Sequence, residues 1–354
     1  MISLVIPSYN NLRHLKNAYN SVRKYYTNKV ELVLIDDGSS DGTFEWLNSL
    51  KDKNLIFWKE KNRLGHTILY DEGIKKSTND IVGILHADMY IAPNYIENLL
   101  KHLTPGKVVC ATRIEPPLHP PGKEKIIQDF GMDFDSLKIE NFYEFSKEEM
   151  IRSKDQTTQG IFAPWVLYKE DHLKIGGHDP GFAPFPYEDS DLFQRWILAG
   201  YEMVQSRDAL VYHLTCRGHR WNKEIGKNDD EFKLFEEKSR IYYLKKWGSW
   251  IKNNEYSYPI ISPVYNKTLV LKNPTSQLQN HLDPWFNGGE DIIIEVDGSN
   301  FNQQDFQIIQ QLPEIIQDSG EIGEFELGNL KITINDLESK EKGLINIYSK
   351  NKYE

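Results

Sequence analysis

Short apolar runs, separated by helical stripes and each ending in a polar cluster, constrain this chain more than any other feature. Ile2 to Ile6 and Val30 to Ile35 are largely apolar and flanked by turn residues, which predicts strands buried on both faces of a parallel sheet. Between them Leu12, Leu15, Tyr19, Val22 and Tyr26 recur at spacings of three and four, the stripe of an amphipathic helix. Asp41 and Thr43 can cap a second helix through Leu50, Leu55 to Trp58 reads as a third strand, and Ile68 to Lys76 as a third helix. Asp80 to Leu85 gives a fourth strand that enters His86-Ala87-Asp88, and Pro93 marks the first position of a helix expected to reach Leu103. The expectation is an α/β fold with a mostly parallel, Rossmann-like sheet flanked by helices.

Ligands of such sheets bind beyond the carboxyl ends of the strands. Three of those ends carry polar chemistry: Pro7-Ser8-Tyr9-Asn10, Asp36-Asp37-Gly38-Ser39-Ser40-Asp41-Gly42, and His86-Ala87-Asp88. The middle segment also suits a tight turn and a helix cap. Together the three ends offer more: an aromatic to stack on a base, a carboxylate to accept from a base N–H, and a carboxylate to hold a metal on a diphosphate. That combination points to a nucleotide-sugar site.

SLVIPSYN, VELVLIDDGSSDGT, DIVGILHAD and a later GG-x-D with PYEDSDLFQRWILAGY, in that order, resemble glycosyltransferase family 2, over roughly residues 1–250. The resemblance implies the GT-A fold and an inverting transfer from a nucleotide-diphosphate sugar, with a UDP-sugar the favoured donor and a glycan, lipid-linked or other hydroxyl as acceptor. It implies that Tyr9 and Asp37 contact the nucleobase with Asp36 close by, and that Asp88 binds Mn²⁺ or Mg²⁺ as the second aspartate of a DXD motif. Glu188 and Asp189 match the family's acidic pair, in which the aspartate is usually the general base. His86 stands where the motif has its first aspartate, which leaves Asp88 short of a partner.

Such a reaction needs a carboxylate to take the acceptor proton and a cation to neutralise the leaving diphosphate. Asp189, at the start of the amphipathic run Leu192, Trp196, Ile197 and Ala199, is expected at a helix N-terminus, where ionisation is favoured. Asp191 is expected to face solvent or an acceptor hydroxyl. His213, ending a strand-like run, is either a second metal ligand or structural. Arg217, His219 and Arg220 form a basic loop able to clamp the diphosphate, and Gly218 and Gly226 bracket a stretch able to act as a lid. Residues 114–159 fall where acceptor loops vary, and Phe162 and Trp165 suit either a sugar face or the core. Residues 231–247 suit either a closing helix or a basic amphipathic helix on anionic lipid.

Composition narrows the partners. A net charge of −10 argues against a phosphate-contacting nucleic-acid binder. Two cysteines, Cys110 and Cys216, leave no disulfide framework, and neither a leader-like start nor a run of about 20 apolar residues appears, so a cytoplasmic protein is expected, with at most peripheral membrane contact. From Glu255 onward seven Lys and no Arg face sixteen Asp and Glu, which carries −9 of the total. That shift predicts a catalytic domain over residues 1–254 and a small acidic α/β or α+β appendage over 255–354, suited to oligomerisation or docking. Its strands are expected at Leu269 to Leu271, Ile292 to Val296 and Leu330 to Ile334, with a helix over Gln303 to Gln311. The alternative function is a glycan- or nucleotide-binding protein on the same scaffold without transfer activity. A sugar nucleotidyltransferase is disfavoured because no glycine-rich basic phosphate loop is present.

Overall fold

A computed structural model describes residues 1–215, 221–222, 227–228, 230–247 and 250–260, together with five strands beyond residue 266. Two compact units result: Met1–Glu236 with Asn253–Tyr258, and Glu237–Lys252 with Pro259–Glu354.

The first unit opens as the apolar runs require. β1 (Ile2–Ser8), α1 (Leu12–Tyr25), β2 (Val30–Asp36), α2 (Thr43–Ser49), β3 (Leu55–Lys59), α3 (His66–Lys76) and β4 (Ile81–Ile84) alternate, and the strands pair in parallel. Ile2, Leu4 and Ile6 of β1 with Val30, Leu32 and Leu34 of β2 pack on one face, while Val5, Val33 and Ile35 pack on the other. Burial on both faces is why these strands read as continuous apolar runs rather than alternating ones. Gly73 of α3 allows helix and sheet to touch, since a Cβ there would lie 2.3 Å from Val5 Cγ1.

The chain then departs from simple alternation. β5 (Met89–Ile91) and α4 (Tyr95–Leu100) precede β6 (Lys107–Glu115), β7 (Lys125–Ile127), α5 (Ile139–Arg152), β8 (Thr157–Thr158), β9 (Trp165–Tyr168), α6 (Lys169–Lys174), α7 (Glu188–Leu198) and β10 (Glu202–His213). The fourth helix starts later and ends earlier than expected. Asn94, in the left-handed region at φ 56°, precedes it, so Pro93 lies in the turn and not at the first helical position. The sheet runs β3-β2-β1-β4-β9-β6-β10-β5, with β7 and β8 paired to β6 and β10. β9, β5 and the short β8 are antiparallel to their neighbours, so the mostly parallel sheet carries three reversed strands. A short ribbon, β11 (Trp221–Asn222) with β12 (Lys227–Asn228), precedes α8 (Asp230–Trp247), the helix read from the mixed basic and apolar run.

The described part of the second unit includes a sheet of order β13 (Lys267–Leu271), β14 (Ile292–Asp297), β17 (Leu344–Ser349), β16 (Leu330–Ile334), β15 (Gly323–Leu327). Three of its strands fall where the apolar runs place them. Residues 303–311, expected as a helix, lie outside the described residues. No described helix is long and apolar enough to cross a membrane.

Candidate active site

The carboxyl ends of β1 and β2 are tied together by the side chains they carry. Asn10, at φ 46°, accepts from Ser40 N at 2.8 Å and donates its own N–H to Ser39 Oγ at 2.9 Å. Asp36, wholly buried, accepts from Ser39 N at 2.7 Å, while its Oδ2 lies 3.7 Å from Lys59 Nζ. Asp37 accepts from Leu64 N at 2.6 Å and Gly65 N at 2.9 Å, and burial pushes its carboxyl above the usual range despite those donors. Pro7 is buried within β1 opposite Ile35, so it shapes the strand end and offers no surface. Tyr9 is half-buried, with the Arg63 guanidinium 4.2 Å from its ring centroid. Arg63 also pairs with Glu231 at 2.8 Å and lies 5.2 Å from the Phe185 ring, joining this end to the segment before α7.

That segment delivers the acidic pair. Gly65 has φ +89°, and a Cβ there would lie 2.3 Å from Pro184 Cα, so only glycine lets the loop after β3 pass beneath residues 184–187. Gly65→Ala is therefore expected to lower stability by roughly 2 kcal/mol or more from strain and overlap, read as a shift in urea midpoint. Glu188 and Asp189 form the first turn of α7, as expected. His66 Nε2 lies 2.6 Å from Glu188 Oε1. Burial works to raise the Glu188 carboxyl, but the imidazole outweighs it and the group ends below its ordinary range; the same contact raises His66 against its own burial. Asp189 behaves oppositely to expectation. Burial, then the charge of Glu188, push it up to about 6, outweighing the Ser190 donors and the charge of His66.

Asp88 and His213 come together, and His86 joins them. β5 pairs with β10 in the register Met89↔His213, which sets Asp88 beside the end of β10. His213 Nε2 lies 3.7 Å from Asp88 Oδ1, and one potential ligand atom from each of His86, Asp88 and His213 lies within 4.8 Å of the others. Two imidazoles and a carboxylate at that separation fit a divalent cation. The residue that departs from the family motif is thus a third potential ligand, where its sequence position alone suggested a loss. Tyr70 links the two clusters: its ring stacks with His86 at 6.3 Å, and burial, then the charges of Glu188, Asp88 and Asp189, hold its hydroxyl well above its ordinary value. His66 and Tyr70 carry no motif, and only their neighbours in space reveal them.

Other candidates do not join the site. Trp165 is 0% exposed, stacked on His172 and His178 and edge-on to Trp196, so it belongs to the core and offers no sugar platform. Asp191 is also 0% exposed and does not face solvent; its carboxylate accepts from Arg195 Nε at 2.8 Å, one turn along α7. Arg217, His219, Arg220 and the glycines flanking them lie outside the described residues. Asp71, His172 and His178 also cluster, but Asp71 Oδ1 sits 2.8 and 2.7 Å from the two ring nitrogens, hydrogen-bond distances that brace α3 against the loop at Gly177.

Residues 3–175 match the family described as Glycosyl transferase family 2. The chain is 22% identical over 228 residues to validoxylamine A glucosyltransferase of Streptomyces hygroscopicus subsp. jinggangensis, covering 59% of this chain and 54% of that protein. It is 30% identical over 105 residues to poly-beta-1,6-N-acetyl-D-glucosamine synthase of Staphylococcus aureus, covering 28% and 26%. The chain thus spans about half or less of the length of these relatives. Among solved structures it is similar to GalNAc-T7 with UDP, GalNAc and Mn²⁺, at TM-score 0.47 and 16% identity over 60% of this chain and 43% of that one. It is also similar to the mannosyltransferase PcManGT from Pyrobaculum calidifontis in complex with GDP-Man and Mn²⁺, at TM-score 0.44 and 20% identity over 69% of each.

Proposed function

Because the chain carries a glycosyltransferase family 2 domain, we propose that it moves a sugar from a nucleoside-diphosphate donor, a UDP-sugar by preference, to a hydroxyl acceptor with inversion at the anomeric carbon. The observation that carries this reading is the meeting of the acid pair with the His86, Asp88 and His213 cluster around Tyr70, beyond the carboxyl ends of β1, β2 and β4.

Asp189 serves as the base. It is partly exposed, and a carboxylate near 6 is both ionised at neutral pH and more basic than an ordinary one. Glu188 is engaged by His66 through Oε1, while its buried Oε2 has no hydrogen-bond partner among the described residues and suits an acceptor or donor hydroxyl. The acceptor O–H loses its proton to Asp189 as its oxygen bonds to the anomeric carbon, and the bond from that carbon to the diphosphate breaks with its electron pair leaving on phosphate. His86, Asp88 and His213 would hold a divalent cation, which when bound supplies charge neutralisation at the diphosphate. Tyr9, Asn10, Asp36 and Asp37 would border the nucleoside.

A binding protein without transfer activity draws its support from His86 standing in place of the motif's first aspartate, and that support weakens because His86 clusters with Asp88 and His213. We place the protein in the cytoplasm from its cysteine usage, and assign residues 255–354 a docking or oligomerisation role from their acidity. Calorimetry with UDP, GDP, dTDP and CMP, each with and without Mn²⁺, tests the central claim. Metal-dependent binding of one diphosphate, lost in Asp88→Ala, is the expected result; binding of none overturns it, and binding without donor turnover favours the inactive scaffold.

A further inference from the structure

We propose that Glu115 is a positioning residue of the cation site: it turns Nε2 of His213 toward Asp88 and His86 and so gives the site a preference for Mn²⁺ over Mg²⁺. The inference rests on the metal reading above and deepens it. Glu115 ends β6, which lies parallel to β10 with Ile114 opposite Tyr212, so the next residue of each strand meets across the pair. Glu115 is 1% exposed, and its Oε1 lies 2.8 Å from His213 Nδ1.

Two cations keep that carboxylate in place. Arg113 Nη1 donates to Oε1 at 2.6 Å and Lys125 Nζ lies 3.2 Å from Oε2. A carboxylate so paired only accepts, so Nδ1 of His213 must carry the proton and donate it. The tautomer leaves the lone pair on Nε2, the atom 3.7 Å from Asp88 Oδ1. A carboxylate behind a ligand imidazole both orients the ring and raises its basicity.

The consequence is selectivity. With His213 oriented, two of the three potential protein ligands are imidazole nitrogens. Mg²⁺ demands oxygen ligands and dehydrates reluctantly, whereas first-row transition ions accept imidazole more readily. Removing Glu115 would cost the transition ion a nitrogen ligand and cost Mg²⁺ little by that route. A mere loss of negative charge would weaken both ions alike.

The test is calorimetric titration of the full chain with Mn²⁺ and with Mg²⁺, each alone, in wild type, Glu115→Gln, Glu115→Asp, His213→Ala and the Glu115→Gln/His213→Ala double variant. Glu115→Asp keeps the charge that Arg113 and Lys125 need while drawing the oxygen away from Nδ1, so it guards against a fold defect in Glu115→Gln. Either single change at Glu115 is expected to lower the Mn²⁺ to Mg²⁺ affinity ratio by about tenfold or more. In the His213→Ala background the same change should leave the ratio where His213→Ala alone puts it. Equal losses for the two ions, an unchanged ratio, or a further fall in the double variant each overturn the role of Glu115. Wild type that binds neither ion overturns the cation-site reading, and this inference with it.

Discussion

Asp189→Asn is expected to slow sugar transfer by about 10²–10⁴-fold, the usual worth of a general base, with nucleotide binding intact. Asparagine preserves shape and can still accept from Ser190 N, as Asp189 Oδ1 does at 2.6 Å, so the loss would report proton transfer rather than a collapsed helix start. The pH dependence has a definite sign. A base acts in its ionised form and this group sits at about 6, so the wild-type rate should climb as pH rises through that value and level off above it. Glu188→Gln removes a charge that helps lift Asp189, so the rising limb should move to lower pH. Stability runs the other way. A carboxyl raised above its unfolded value favours folding at low pH and loses that contribution as pH rises through about 6, so Asp189→Asn should match or exceed wild type in thermal stability at pH 7. Transfer that survives in Asp189→Asn would remove it as the base.

Trp165→Ala should cost about 3–5 kcal/mol, the range for truncating a large buried aromatic. The indole fills space between His172, His178 and Trp196, and the two imidazoles are held in place by their bonds to Asp71. Chemical denaturation reads the loss directly. The result also separates two uses of a tryptophan: a sugar platform would leave the denaturation midpoint alone and raise the acceptor KM, whereas a core residue does the reverse.

What the sequence revealed depended on how local the signal was. Strands β1, β2 and β4 were legible because burial on both faces writes an apolar run, and the polar residues ending them were legible because they follow those runs directly. Glu188 and Asp189 were legible through the family resemblance, and the amphipathic stripe after them placed them at a helix start. Asp191 misled and Trp165 stayed open between a sugar face and the core, since neither an acid in a first turn nor an indole in a strand says which way it faces; tertiary packing buries both. His86 looked like erosion because its value lies in His213, which comes from β10. Glu115 had no local mark at all. Its role comes from the parallel pairing of β6 and β10, a contact that periodicity cannot encode.

The pairing of β5 with β10 spans only three residues on each strand, yet it alone sets Met89 opposite His213. The face of His213 is held by the longer β6–β10 pairing, so a slip of one position in β5 would instead carry Asp88 away from it and dissolve the cluster. The grouping of His86, Asp88 and His213 therefore exists only in chains that have closed a loop of more than a hundred residues, and such long-range contacts tend to form slowly. A cation that binds only the closed form draws folding forward by mass action, worth about 2.7 kcal/mol at a hundredfold excess over Kd. The cluster would thereby also be a late clasp of the fold: an ion held there would secure the edge of the sheet.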